Sequence, residues 1–213
     1  SRRVRGRLFV CLVAAPAASG EQRQEIVFID GSVQDHAQLI AGIGEGTEVV
    51  LLDGARDGLE QIAQYLDGRS GIDAIHIVSH GSLGQITLGT LTLDQATLSE
   101  RAATLGAIGR TLTDAGDIFL YGCYVGQTQQ GQSFVDEFSR WTGADVAAST
   151  DMTSGSQRGG DWDLEYQTGE VLSTLNLATA WSGYAGALVS IPANITIDFS
   201  GEGFVEGADH GSN

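Results

Sequence analysis

Ala74-Ile75-His76-Ile77-Val78-Ser79-His80-Gly81 is the stretch on which the fold turns. Ala74 to Ser79 is a short apolar run, and its length and β-branched residues make it a buried strand rather than a helix. It runs directly into His80-Gly81. The same pattern recurs on both sides. Glu25 to Asp30 and Glu48 to Asp53 precede it as buried strands, and Asp117-Ile118-Phe119-Leu120-Tyr121 comes after it as a fourth, ending at Gly122-Cys123. Ala144 to Ser149 reads as a fifth.

Helical segments separate these runs. Asp35 to Ala41 is a short one, and Gly58 to Leu66 places Leu59, Ile62, Ala63 and Leu66 at helical spacing. A longer helix is expected from Leu93 or Asp94 to Arg110, with Leu98, Ala102, Leu105 and Ile108 on one side. Gln132 to Thr142 carries the stripe Phe134, Val135, Phe138 and Trp141, and Gly143 stops it as a C-cap. Strands alternating with helices predict an α/β fold, a three-layer sandwich with a mostly parallel central sheet and helices on both faces. A hairpin turning at Gly89 joins Gln85–Leu88 to Thr90–Leu93. Trp162 to Gln167 and Glu170 to Leu175 are expected as a small antiparallel extension, with a closing helix from Asn176 to Trp181.

The chain has 213 residues and a net charge of −16, from 27 acidic against 11 basic residues, all of them Arg. That balance argues against nucleic acid as a partner, because phosphate binding needs clustered cations. Arg2, Arg3, Arg5 and Arg7 precede the apolar run Leu8 to Ala15, so residues 1–24 read as a leader or targeting segment, with an edge strand from Arg7 to Val13 as the alternative. The run is too short to span a bilayer, and no other stretch supplies a transmembrane span. Residues 25–186 form the α/β domain. The composition changes after Ala187, and residues 187–213 read as a linker or the start of a following β-domain, in a protein that continues beyond Asn213.

The two cysteines, Cys11 and Cys123, give no disulfide framework. Ligands of parallel sheets collect outside the carboxyl ends of the strands. If the strands ending at His80 and Cys123 are neighbours, a thiol and an imidazole share that rim, each beside a glycine, Gly81 or Gly122. A nucleophile, a base and exposed backbone N–H groups are the minimum for acyl transfer. From spacing alone, a buried inert thiol at Cys123 is an equal reading.

Ile77-Val78-Ser79-His80-Gly81 followed by Phe119-Leu120-Tyr121-Gly122-Cys123 resembles the His-Gly and Cys strand ends of the caspase, gingipain and clostripain clan of cysteine peptidases. More closely, Glu25 to Gly186 resembles a domain-of-unknown-function family found near the N-terminal ends of very large secreted bacterial proteins. The matching segments include Ile26 to Asp30, Asp57-Gly58-Leu59, Ile75 to Gly81, Ala147 to Asp151 and Gly159 to Glu165. The resemblance implies a caspase-like sandwich, Cys123 as nucleophile, His80 as its partner, and the backbone N–H groups of Gly81 and Cys123 as the oxyanion hole. It also implies a secreted or cell-surface setting.

Asp151 lies just past the fifth strand, where a pocket for the residue before the scissile bond belongs, and a carboxylate there would favour Arg or Lys. The simpler reading makes it the opening of a turn at Thr150 to Thr153. The loop Ser154 to Gly160 holds one Arg, which makes Arg158 a candidate self-cleavage site. No cofactor and no metal is expected. Asp161, Asp163 and Glu165 alternate on one strand face and suggest calcium as a regulator at most, since one strand edge supplies few ligands. His76 with His80 and Cys123 makes a poor zinc set, and His76 is more simply a hydrogen-bonded core residue. The glycines form neither the dinucleotide nor the Walker pattern.

Three functions are consistent with these residues. One is a cysteine endopeptidase acting on a polypeptide, its own chain included. Another is a non-catalytic module of a giant adhesin serving assembly, secretion or adhesion. The third is acyl transfer to a non-peptide substrate by the same dyad.

Overall fold

The computed structural model describes residues 23–190. The leader and edge-strand readings before residue 23, and the alternating stretch from Ile191 to Phe199, lie outside the described residues.

Five parallel strands form the sheet: β1 (Glu25–Asp30), β2 (Glu48–Leu52), β3 (Ile72–Val78), β7 (Leu112–Tyr121) and β8 (Asp145–Ala148). Their order is β2-β1-β3-β7-β8, closed by the two-residue antiparallel β9 (Tyr166–Gln167). β3 and β7 are therefore neighbours, in register from Ala74 opposite Asp117 to Val78 opposite Tyr121. Successive side chains of a strand face opposite sides, and both sides here are apolar. Ile26, Phe28, Ile75, Ile77, Ile118 and Leu120 pack in one core cluster; Val27, Ile29, Val78, Phe119, Tyr121 and Cys123 pack in the other.

The first cluster is covered by α2 (Gly58–Leu66), α4 (Ala102–Gly109) and α5 (Thr128–Thr142) through Leu59, Ile62, Leu105, Phe134 and Phe138. The second is covered by α1 (His36–Gly42), the four-residue α6 (Leu177–Ala180), and Trp162, Trp181 and Tyr184. This is the expected three-layer arrangement. Local signals account for the helix ends: the Asp57 carboxylate accepts from the Glu60 amide at the start of α2, and Gly143, at φ 74°, ends α5.

Three expectations need correction. The helix drawn from Leu93 or Asp94 to Arg110 is broken in two. β6 (Leu91–Asp94) runs further than expected, and Asp94 then caps the short α3 (Gln95–Leu98) in a reciprocal bond with Thr97; α4 begins only at Ala102. The hairpin is three-stranded, because β4 (His80–Ser82) pairs with β5 (Gln85–Leu88), which pairs with β6. Glu170 to Leu175 is no strand. It crosses the N-terminal ends of the sheet, where Glu25 accepts from the Thr174 amide at 2.6 Å and Asp117 from the Leu172 amide at 2.9 Å.

That crossing depends on a buried carboxylate. Glu25 also accepts from Ser173 Oγ and Thr174 Oγ1, each at 2.6 Å, and lies 2.9 Å from His76 Nε2. Burial alone would raise its pKa, but bonds from His76, Ser173 and Thr174 outweigh it and push the carboxyl down to about 2. His76 is fully buried, stacked on Phe119 with ring centroids 4.6 Å apart, and is the hydrogen-bonded core residue expected of it.

Candidate active site

The ladder between β3 and β7 extends one step past β3, where the Ser79 amide donates to the Tyr121 carbonyl at 3.0 Å. The chain then leaves the sheet, so His80 opens β4 rather than closing β3. Two glycines govern the geometry of this exit. A Cβ on Gly81 would lie 2.7 Å from Val125 Cγ2 and 2.8 Å from the Gly122 carbonyl carbon; one on Gly122 would lie 3.2 Å from Gly81 Cα. Only without side chains do the two strand ends approach this closely.

That approach aims two backbone donors at one point. The Gly81 and Cys123 amides both donate to the carbonyl oxygen of Leu188, at 2.8 and 3.0 Å. These are the two amides expected to form an oxyanion hole, and the lengths suit one. The oxygen belongs to an extended segment that crosses the rim. Ala187 pairs antiparallel with Ser154, the Leu188 amide donates to the Thr153 carbonyl at 3.0 Å, Val189 pairs with Gly81, and the Ser190 amide donates to the Gly81 carbonyl at 2.9 Å. The domain edge drawn at residue 186 thus cuts through a paired segment. Pairing with distant backbone, which leaves no periodicity in so short a stretch, is the physical reason.

Cys123 shares its sheet face with Phe119 and Tyr121 and is fully buried. Its sulfur lies 3.5 Å from the Thr153 carbonyl. Burial pushes the thiol up to about 11, against smaller lowering contributions from backbone hydrogen bonds. His80 is half-buried; its Nε2 stands 3.3 Å from the Ser32 carbonyl and its Nδ1 is buried without a partner. The two side chains occupy the same rim but make no hydrogen bond with each other among the described residues. Tyr124, directly after Cys123, sits at φ 62°, a conformation that costs a non-glycine residue energy and recurs at functional sites.

A cavity of about 560 Å³ opens beside His80, lined also by Thr87, Arg158, Ala187, Val189 and Ser190 among others; Cys123 does not line it. Arg158 lies at its edge with Nε donating to the Ala185 carbonyl. Asp151 does not line this cavity; its carbonyl accepts from the Tyr124 amide at 2.7 Å, and its exposed carboxylate is grouped with those of Asp161 and Glu165, with oxygens within 4.8 Å of one another. Burial and the neighbouring carboxylates raise the Asp151 pKa. Glu165 accepts from the Thr150 amide at 2.7 Å, and Asp161 accepts from the Asp163 amide at 3.0 Å. Leu188 and Thr153 were not singled out in the sequence, and no local signal marks either.

The fold and rim define an α/β domain with a parallel sheet and a Cys/His pair at the carboxyl ends of its two central strands. The chain belongs to the family described as Domain of unknown function (DUF4347), whose model matches residues 26–188. No curated protein matches it. Among solved structures it is similar to an aromatic-amino-acid aminotransferase from Burkholderia pseudomallei, at 18% identity over 59% of this chain and 31% of that one, with a TM-score of 0.34. A small-chain dehydrogenase is similar at 10% identity, over 57% of this chain and 77% of that one, with a TM-score of 0.33. The chain spans less than a third of the aminotransferase's length, and neither likeness bears on function. No helix among the described residues is long and apolar enough to cross a membrane.

Proposed function

We propose that the domain is a cysteine endopeptidase in which Cys123 attacks a peptide carbonyl and His80 moves the proton. One observation carries this reading: amides from two strand ends converge on a single peptide oxygen, at 2.8 and 3.0 Å, beside a cysteine and a histidine. Such donors stabilise the negative charge that develops as a thiolate adds to a carbonyl. Burial raises the thiol pKa, and His80, whose Nε2 stands 3.3 Å from the Ser32 carbonyl, makes no hydrogen bond with the sulfur; on this reading the imidazole reaches the sulfur before it acts as base. Digesting a peptide library with the wild type and with Cys123→Ala tests the reading. Cuts made only by the wild type support it; identical digests, together with no His80-dependent labelling of Cys123 in a chain whose rim has been opened, reject it.

The burial of Cys123 favours a second reading, a non-catalytic module of a large secreted or surface adhesin that keeps the thiol as core. Under it, His80→Ala leaves the pH dependence of Cys123 alkylation unchanged. Under the peptidase reading, the same change slows alkylation below pH 8 once the site is opened.

A further inference from the structure

We propose that the substrate of this site is the chain's own Ala187–Ser190 segment, cut between Leu188 and Val189. The inference rests on the peptidase reading and specifies its substrate. An exposed tail resting against a domain need not seat a carbonyl in a pair of converging amides, but Leu188 does so at 2.8 and 3.0 Å. The segment is held on both sides of that carbonyl. Upstream, Ala187 pairs with Ser154 and the Leu188 amide donates to Thr153; downstream, the Ser190 amide donates to the Gly81 carbonyl. An extended strand clamped by backbone bonds on either side of one bond is how peptide substrates are positioned by β-augmentation.

Side chains agree with the backbone. Leu188 is fully buried in the apolar cluster that also contains Cys123, Trp162 and Tyr184. Val189 and Ser190 line the open cavity together with His80. The residue before the bond thus sits in a closed apolar pocket, and the residues after it face the imidazole and the way out. The site therefore selects a leucine-like side chain at this position. Arg158 contacts the Ala185 carbonyl and presents no carbonyl of its own to the two amides.

The chemistry balances with water as the only co-reactant. His80 takes the thiol proton, and the Cys123 sulfur adds to the Leu188 carbonyl carbon. The oxyanion rests on the amides of Gly81 and Cys123. The carbon–nitrogen bond to Val189 breaks as His80 returns the proton to that nitrogen, which leaves as an amine. Water then hydrolyses the Leu188 thioester, leaving a Leu188 carboxylate and a free thiol.

The test is intact-mass analysis of the purified full chain over days, beside Cys123→Ala, Cys123→Ser and His80→Ala, with circular dichroism to verify folding. A new amino terminus at Val189, formed by the wild type and by none of the folded variants, is the expected result. Cleavage at this bond in Cys123→Ala as well would overturn the proposal, and so would an uncut wild type. A further arm separates the two ideas. Leu188→Asp, in the full chain, places a charge in the apolar pocket and expels the segment; it is treated with a leucyl chloromethyl ketone. If the wild type stays uncut but this variant is alkylated at Cys123 in a His80-dependent way, the peptidase reading stands and the segment is a plug. If neither cleavage nor labelling occurs, both ideas fall. Cys123-dependent cleavage elsewhere, such as after Arg158, overturns the Leu188 assignment alone.

Discussion

Gly81 and Gly122 meet backbone to backbone, with a Cβ on Gly122 placed 3.2 Å from the Gly81 Cα. The reverse substitution is tighter, at 2.7 Å from Val125 and 2.8 Å from Gly122. Gly81→Ala is therefore expected to cost about 1–3 kcal/mol, the usual range for overpacking, and Gly122→Ala less. Urea unfolding of both variants checks the order. The reverse order would mean that the contact does not fix the rim.

Glu25 and His76 make stability fall with acid in two stages. Burial lowers the His76 pKa despite the pull of Glu25, so the ring folds neutral and its contribution fades as pH drops below about 6.5. Glu25 is held down at about 2, so its contribution is complete above about 4.5 and is lost as pH falls toward 2. Glu25→Gln should cost on the order of 3 kcal/mol at pH 7 and flatten the slope below pH 4.5. Urea midpoints between pH 7 and pH 3 provide the measurement.

With its pKa near 11 and its sulfur buried, Cys123 should react with iodoacetamide more slowly than a free thiol at pH 7. Leu188→Asp, which opens the rim, should raise that rate at least tenfold. Equal rates in the two proteins would show that the Leu188 segment is not what shields the sulfur.

Trp181 anchors the chain that leads to this segment. Its ring is 1% exposed, its Nε1 donates to the Leu39 carbonyl at 2.9 Å, and it packs against Trp162 at 4.8 Å between centroids. Trp181→Ala should cost about 3–5 kcal/mol, typical of a deleted buried aromatic. It should also speed Cys123 alkylation, by loosening Tyr184 and the residues after it. Thermal unfolding together with alkylation rates tests both effects.

The sheet was legible because each parallel strand is buried on both faces and reads as an apolar run, as in Ile26 to Ile29 or Ile118 to Tyr121. The helix over Gly58–Leu66 was legible from its apolar stripe, Leu59, Ile62, Ala63 and Leu66. The break between Leu98 and Ala102 was hidden, because apolar spacing continues across both short helices and only the Asp94–Thr97 cap exposes the start. The crossing from Glu170 to Leu175 was not legible, because the groups that hold it, Glu25 and Asp117, are distant in sequence. His80, Cys123 and the two glycines declare themselves at strand ends. Their cover does not, since nothing in Ala187-Leu188-Val189-Ser190 announces that Thr153 and Gly81 will bind it.

The bonds of Arg23 and Gln24 with Asp73 lie at the starting ends of the strands, whereas Ser190 is bound at Gly81, beyond their finishing ends. The six residues of β1 span about 20 Å, so the two points lie on opposite poles of the sheet. The described chain therefore begins its fold at one pole of the sheet and lays its last paired segment across the other.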